Sequence, residues 1–221
     1  MTGTATLLLA LAAVAAVADW IAVDRAELAG GVRSAANQLV EYVCKPLTLA
    51  LLVGAALALD PVDPTVRSWF VAALVLSLAG DVFLMLPQDR FVPGLASFLL
   101  GHVAYIVGFF VEGVDPRGFG LGLVVVALAV AVIGIQVLRA VQSGDEPELG
   151  VPVLLYMLVI SLMVACAIGT GSAVAIAGAV LFYVSDSLIA WNRFVAATPR
   201  ARLSIISTYH LAQAALVVSL V

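Results

Sequence analysis

Long apolar runs, separated by short polar segments, follow one another along the whole chain. One crossing of a bilayer by an α-helix takes roughly 17 to 25 predominantly apolar residues. The runs lie at residues 4–24, 45–59, 66–86, 91–112, 118–139, 152–168, 172–191 and 203–221. The pattern predicts an all-α, polytopic integral membrane protein with eight transmembrane helices, forming a single domain over residues 1–221.

Composition supports this prediction. The 221 residues are 64% hydrophobic and 11% charged, compared with roughly 25% charged residues in an average soluble domain. Eight spans leave almost no residues for a soluble domain. The segment "AVAD" at 16–19 has the small-residue pattern of a signal-peptide cleavage site, but no Lys or Arg precedes the first run. We therefore expect this run to be retained as a helix.

Basic residues are distributed unequally between the two sides of the predicted bundle. The connections after even-numbered spans carry only Arg67 and Arg117. The connections after odd-numbered spans carry Arg25, Arg33, Lys45, Arg90, Arg139, Arg193, Arg200 and Arg202. Because Lys and Arg concentrate in cytoplasmic loops, the odd connections are predicted to be cytoplasmic and both termini extracytoplasmic in the cell membrane.

Polar side chains inside the predicted spans gather at one depth. At about 1.5 Å per residue, Asp81 lies about 8 Å from the cytoplasmic end of the third span, and Asp186 is at a comparable depth in the seventh. The other polar residues in this half are Lys45, His102, Tyr105, Tyr156, Tyr209 and His210. Asp19 and Trp20 are expected to end the first helix at the interface. The pattern predicts a single polar pocket in the cytoplasmic half.

Two segments suggest an internal repeat. "GDVFLMLPQDRF" at 80–91 and "SDSLIAWNRF" at 185–194 each place a small residue before Asp, followed by a turn and Arg-Phe. In each case the next span carries a His with a Tyr nearby. Helices 1–4 and 5–8 are therefore predicted to be parallel repeats, related by an axis along the membrane normal. This repeat would place Asp81 and Asp186 opposite each other.

The two intramembrane carboxylates are the leading candidates for chemistry. A charged side chain at a helix centre costs about 2.5 to 3.5 kcal/mol on insertion scales, and such residues usually face the bundle interior. Either Asp could instead cap a neighbouring helix or pair with Lys45. Two adjacent carboxyls cannot both ionise cheaply, so one holds a proton and the pair supplies an acid and a base. Asp81 and Asp186 are thus predicted to be catalytic.

Lys45 and the remaining polar residues are candidates for substrate contacts. Pro46 is typical of the first position of a helix, so Lys45 is expected at a helix N-terminus. There it would contact lipid phosphate, bind a substrate phosphate or pair with Asp81. His102 and Tyr105 are three residues apart and share one helix face. In the eighth span, Gln213 lies three residues after His210 and four after Tyr209, so it shares a face with each of them. Such residues line pockets or form hydrogen bonds between membrane helices.

Other classes of site are less well supported. A zinc site built from the two His and the two Asp lacks the ligand spacing of catalytic zinc sites, so neither a metal nor another cofactor is expected. Ser185 has no His base in its own helix, and no phosphate-binding loop or nucleic-acid patch occurs.

Two other classes of function are alternatives to a hydrolase with two catalytic carboxyls. The first is a lipid transporter or flippase, and the second is an intramembrane aspartyl protease or metal-dependent lipid amidase. A nearly apolar outer half argues against transport.

Five segments together resemble the YhhN family of membrane proteins, which includes lysoplasmalogenases. They are "KPLTL" from Lys45, "GDVFLM" from Gly80, "FVPGLASFLLGHVAY" from Phe91, "GAVLFYVSDSLIA" from Gly178 and "YHLAQ" from Tyr209. The resemblance implies an eight-helix hydrolase that cleaves the sn-1 vinyl ether bond of lysoplasmalogens. The implied products are a fatty aldehyde and glycerophosphoethanolamine or glycerophosphocholine, formed without a metal.

The resemblance also implies site residues. Asp81 and Asp186 would be catalytic, and the site would be lined by Lys45, His102, Tyr105, Ser185, Tyr209 and Gln213. The depth argument adds Tyr156 and His210 to the substrate-binding set. The implied partners are a lysophospholipid substrate and membrane lipids, with no nucleic acid.

The expected chemistry suits these residues. Vinyl ether hydrolysis needs a proton delivered to carbon and stabilisation of an oxocarbenium ion, which a protonated and an ionised carboxyl provide together, as in glycosidases. The head group is expected near Lys45 and Arg193, with the chain among the apolar helices. The sequence leaves open which Asp is the acid.

Overall fold

The computed structural model describes residues 1–32, 34–86, 88 and 90–221. Arg33, which contributed to the predicted orientation, and Pro87 and Asp89 of the first repeat segment lie outside the described residues. The described chain forms eight long helices and no strand. They are α1 Gly3–Leu28, α2 Ala35–Ala58, α3 Pro64–Met85, α4 Phe91–Glu112, α5 Pro116–Ser143, α6 Gly150–Thr170, α7 Ala173–Phe194 and α8 Ala201–Val218.

Each predicted apolar run coincides with one of these helices, so the all-α prediction is confirmed. Within the described residues, α1 to α7 are long and apolar enough to cross a membrane. The remaining helix, α8, has 18 residues and carries Tyr209, His210 and Gln213 on its buried face. These polar residues lower the mean hydropathy of α8, although the apolar run at 203–221 predicts this helix.

Helix α2 begins ten residues before the predicted run. Ser34 caps it by accepting a hydrogen bond from the backbone N–H of Asn37 at 3.2 Å. Pro46 therefore lies inside the helix, and the prediction that Lys45 sits at a helix N-terminus is wrong. The polar first turns, which include Glu41, concealed the start of the helix from the hydropathy pattern.

Helix α1 also extends beyond its predicted end. It continues to Leu28, so Asp19 does not terminate it. Asp19 is only 1% exposed, and the indole N–H of Trp20 donates to Nδ1 of His210 at 3.1 Å. The prediction that these two residues anchor a helix end at the interface is therefore wrong. Both belong to the interior of the bundle.

Glycines allow α3 and α4 to approach closely. A Cβ added at Gly108 would lie 2.7 Å from the Phe70 ring, and one added at Gly101 would lie 3.2 Å from the carbonyl oxygen of Ala73. Small residues at helix contacts of this kind bring membrane helices together. This packing positions the polar residues of α3 and α4 beside each other.

The helices pack in the same pattern in both halves of the chain. In the first half α1 packs on α2 and α3 packs on α4, and in the second half α5 packs on α6 and α7 packs on α8. Between the halves, α4 packs on α6 and α8 packs on α2. Since these two cross-contacts join corresponding helices, the pattern supports the predicted 4+4 repeat.

Candidate active site

The first polar cluster comprises Asp81, Lys45 and Tyr209 and is named the Asp81 cluster. Asp81 lies on α3 and is 1% exposed. The Lys45 ammonium lies 3.1 Å from its Oδ1, and the Tyr209 hydroxyl donates to its Oδ2 at 2.7 Å. Both carboxylate oxygens are therefore engaged by donors, one of them a cation, which is the environment of an ionised carboxylate.

The second polar cluster, the Asp186 cluster, comprises Asp186, Tyr156 and His102. Asp186 lies on α7, and the Tyr156 hydroxyl donates a short hydrogen bond to its Oδ2. His102 Nε2 lies 3.6 Å from the same oxygen. This nitrogen is buried and has no hydrogen-bond partner among the described residues. Asp186 thus has a phenol and an imidazole as neighbours, whereas Asp81 has a phenol and a cation.

The geometry of His102 indicates where a proton is held. Its Nδ1 lies 2.7 Å from the Phe98 carbonyl oxygen, which can only accept, so Nδ1 carries hydrogen. In a neutral imidazole Nε2 then presents a lone pair, and a lone pair facing an ionised carboxylate is unfavourable. The Asp186–His102 pair therefore holds an additional proton, on the carboxyl or on Nε2.

The two clusters are built in the same way from corresponding helices. Asp81 is contacted by Lys45 from α2 and by Tyr209 from α8. Asp186 is contacted by Tyr156 from α6 and approached by His102 from α4. Each carboxylate thus takes one neighbour from the second helix of its own half and one from the fourth helix of the other half.

An aromatic wall of Phe98 and Phe182 lies between the clusters. The Phe182 ring centroid is 4.6 Å from that of His102 and 5.4 Å from that of Tyr209. The Phe98 ring packs on α3 at Gly80, where an added Cβ would lie 2.6 Å from it. Among the described residues, no hydrogen bond joins the two carboxylates. The predicted polar pocket therefore consists of two adjoining clusters.

Asp186 opens onto a cavity between α3, α4, α5, α6 and α7. Its walls are mostly apolar and include Leu95, Phe98, Ile133 and Ile160. Of the predicted site residues, Asp186 and Tyr156 line it. The Asp186 side chain is 12% exposed and that of Asp81 is 2% exposed. Ligand pockets are typically lined by apolar side chains with a few polar groups, and here Asp186 is the accessible carboxylate.

A cation, the guanidinium of Arg193, lies at the end of the cavity where α4 begins and α7 ends. Phe91 and Phe194 line the cavity at the beginning of α4 and the end of α7. The Arg193 guanidinium lies 3.9 Å above the Phe91 ring and pairs with Glu146 at 3.0 Å. This end of the bundle holds the connections after α3, α5 and α7.

The remaining predicted residues contact one another or the backbone. Tyr105 donates to Oε1 of Gln213 at 2.5 Å. Ser185 donates to the carbonyl oxygen of Ile205 at 3.1 Å, a contact that joins α7 to α8. His210 accepts from Trp20, as described above. Nε2 of His210 and Nε2 of Gln213 are buried without a hydrogen-bond partner among the described residues, and the predicted substrate contacts of these residues stay predictions.

Asp19 is a buried polar residue that the sequence pattern wrongly predicts at the end of the first helix. Both of its carboxylate oxygens are buried without a hydrogen-bond partner among the described residues, and it lies within electrostatic range of Lys45 and Asp81. The signal that indicates its position is the buried alanine face of α1, which includes Ala12, Ala15, Ala16, Ala22 and Ala26. Asp19 falls on this face.

Metal-ligating side chains do not cluster in the part of the chain that the structure describes. No group of three His, Cys, Asp or Glu side chains there could hold a metal ion.

Comparisons with known proteins give a consistent family. The YhhN family profile matches residues 40–220. The human protein named "Lysoplasmalogenase TMEM86B" is 36% identical over 141 residues, which cover 64% of this chain and 58% of the relative. The Mycobacterium tuberculosis protein named "Lysoplasmalogenase" is 34% identical over 155 residues, covering 67% and 58% respectively. The matched part of the chain thus spans less than two thirds of the length of these relatives. No solved structure is significantly similar to the chain.

Proposed function

The chain belongs to the YhhN family, and we propose on that basis that it is a membrane-embedded ether hydrolase that cleaves the vinyl ether bond of lysoplasmalogens. Relatives from human and Mycobacterium tuberculosis carry the name lysoplasmalogenase. The observation that carries the proposal is the position of Asp186. It lies on a mostly apolar cavity beside Tyr156 and His102, where a protonated carboxyl can meet an apolar substrate.

In the proposed reaction Asp186 is the acid. Its proton goes to the alkene carbon that does not carry the ether oxygen, which leaves an oxocarbenium ion. The hydrogen bond from Tyr156 then stabilises the Asp186 carboxylate, which takes a proton from water as the water oxygen attacks the cation. The resulting hemiacetal collapses to a fatty aldehyde and a glycerophospho alcohol. Overall, one water is consumed and Asp186 regains its proton.

Asp81 is the ionised member of the proposed pair. Its ion pair with Lys45 and the hydrogen bond from Tyr209 favour the charged form. A fixed negative charge behind the aromatic wall stabilises the developing oxocarbenium ion electrostatically. The assignment follows from the different neighbours of the two carboxylates, which the sequence alone does not reveal.

The proposed substrate is a lysophospholipid with its head group at the cytoplasmic side. Arg193 lies beside Phe91 at the end of the cavity and, although it also pairs with Glu146 at 3.0 Å, it is the proposed contact for the phosphate. That end of the bundle carries the odd-numbered connections, which the distribution of basic residues predicts to be cytoplasmic. Both termini would then be extracytoplasmic.

The test is a product assay with purified protein. Matched lysophosphatidylethanolamines that carry either a 1-alkenyl or a 1-acyl chain are supplied, and fatty aldehyde and fatty acid are measured. Aldehyde from the alkenyl lipid alone supports the proposal. Fatty acid from the acyl lipid would indicate an esterase, and release of neither product would contradict the proposal. The Asp186→Asn variant gives the background.

A further inference from the structure

A second apolar groove continues from the cavity along the outside of the bundle. The two spaces share Ile133, Tyr183 and Ser187 in their linings. From there the groove follows one face of α7, formed by Val180, Tyr183, Val184, Ser187, Leu188 and Trp191. Residues spaced by three and four positions share a helix face, so this face is continuous. The cavity that holds Asp186 therefore extends sideways into a groove between α5 and α7.

The groove exists because α5 diverges from α7 at a π-helical turn. The last part of α5, Ile135–Ser143, packs on both α6 and α7, whereas the first part, Pro116–Ala129, packs on α6. Gly122 allows this close approach to α6, since a Cβ added there would lie 2.7 Å from Cα of Ala165. The π turn, Val130–Gly134, lies between the two parts. Such turns are frequent at functional sites.

The dimensions and chemistry of the groove fit one hydrocarbon chain. The eleven steps from Val180 to Trp191 correspond to about 16 Å at 1.5 Å per residue, which is close to half of the roughly 30 Å hydrocarbon thickness of a bilayer. On the α5 side the lining residues are Val125, Val126, Ala129 and Ile133. The walls are almost entirely apolar and have the length of a single leaflet.

We propose that this groove binds the hydrocarbon chain of the lysolipid substrate, with the chain passing Ile133, Tyr183 and Ser187 on its way from the cavity. This inference rests on the proposed function and adds the chain-binding site to it. Val180 and Val184 are 41% and 40% exposed, so the groove is open along its side. A chain could then enter laterally from the bilayer while the vinyl ether reaches Asp186. Occupation by an unrelated membrane lipid or by another protein helix is the alternative that the experiment tests.

The test uses substitutions that fill the groove, each with a matched control. Ala129→Trp fills it from α5, and Leu128→Trp places the same side chain at the neighbouring position, which is 64% exposed and outside the groove. Val180→Trp fills it from α7, with Val174→Trp as the control at a position of similar exposure. If either filling variant fails to fold, the other helix supplies an independent test.

The rate of aldehyde release is measured for 1-alkenyl lysophosphatidylethanolamines with chains of eight to eighteen carbons. The filling variants should lose at least about tenfold in kcat/KM on the longest chains, because several buried methylenes lose their site, and change by less than about twofold on the shortest. The controls should match the wild type at every length. An equal loss at all lengths, or no loss, would overturn the chain-binding site while leaving the hydrolase proposal intact.

A binding measurement separates failure of this inference from failure of the proposed function. A lysophosphatidylethanolamine with a photoreactive diazirine near the end of its chain is crosslinked to the wild type and to Ala129→Trp, and labelled peptides are identified. Labels on the groove faces of α5 and α7, reduced in Ala129→Trp, support the site even if no aldehyde is formed. Labels confined to other helices, or unchanged in the variant, contradict it.

Discussion

At the scale of single residues, two carboxylates of the same type are differentiated by their neighbours. A cation and a phenol surround Asp81, whereas a phenol and an imidazole approach Asp186. The sequence predicts both residues and their depth, because an Asp in an apolar run is conspicuous. Pairing of Asp81 with Lys45 is one of the alternatives that the sequence offers. The contacts of Asp81 with Tyr209 and of Asp186 with Tyr156 and His102 are not predicted, since they join helices far apart in the chain.

The proposed acid can be tested by removing its proton. Asp186→Asn should lower the rate of aldehyde release by about 10²-fold to 10⁴-fold, the usual contribution of general acid catalysis. Asp81→Asn should also lower the rate, because the negative charge is lost. Asp60→Asn, an exposed loop position, is the control. Size-exclusion chromatography checks that each variant is folded, and full activity of Asp186→Asn would refute its role as the acid.

The ion pair in the Asp81 cluster makes a prediction about stability. Lys45→Met should lower the free energy of unfolding by about 3 kcal/mol, because it leaves a buried carboxylate without its cation. Adding Asp81→Asn to Lys45→Met should restore much of the stability, since no unpaired charge then remains. Thermal unfolding in detergent measures both effects. Equal stability of Lys45→Met and the double variant would contradict this prediction, because the unpaired carboxylate would then carry no cost.

At the scale of helices, the apolar runs locate the elements well but miss polar ends that are still helical. Helix α2 begins at Ala35 and α1 ends at Leu28, both inside segments that a hydropathy pattern assigns to connections. In each case, a polar side chain in the additional helical turns contacts a distant part of the chain. Glu27 accepts from the backbone N–H of Arg202, and Glu41 pairs with the side chain of Arg202. These contacts between distant segments leave no local signal.

Close packing of α5 on α6 can be tested at a pair of glycines. Gly122→Leu should destabilise the protein by about 1 to 3 kcal/mol, because the new side chain must displace the α6 backbone at Ala165. Gly120→Leu is the control, as an added Cβ there meets no atom within 4 Å. The measurement is the melting temperature in detergent. If Gly120→Leu lowered it as much as Gly122→Leu, the loss would not come from the contact with α6, and helix propensity could not explain it because Leu favours a helix more than Gly does.

At the scale of the whole molecule, the predicted 4+4 repeat relates the Asp81 cluster to the Asp186 cluster. The sequence indicates it through the two Asp-containing segments, and the matched helix packing supports it. The exchange of neighbours between halves, with Tyr209 reaching Asp81 and His102 reaching Asp186, could not be predicted. It depends on how the two halves are placed against each other, and single-sequence similarity carries no information on that.

The predicted orientation can be tested by labelling loops in cells. Single cysteines are introduced at Asp60, after α2, and at Asp145, after α5, with Cys44 and Cys166 replaced by Ser. A membrane-impermeant maleimide should label residue 60 in intact cells, and residue 145 only after permeabilisation. The reverse pattern would mean that the cavity faces the outer leaflet and that the basic residues do not set the topology.

The contribution of Tyr209 to the Asp81 cluster has a consequence for biosynthesis. Helix α8 leaves the ribosome after the seven other helices described above, so a growing chain has already made Asp81 before its phenol partner exists. During that interval Lys45 alone neutralises the carboxylate. We expect chains truncated before α8 to be recognised as unfinished and degraded, which pulse-chase labelling of such fragments would reveal.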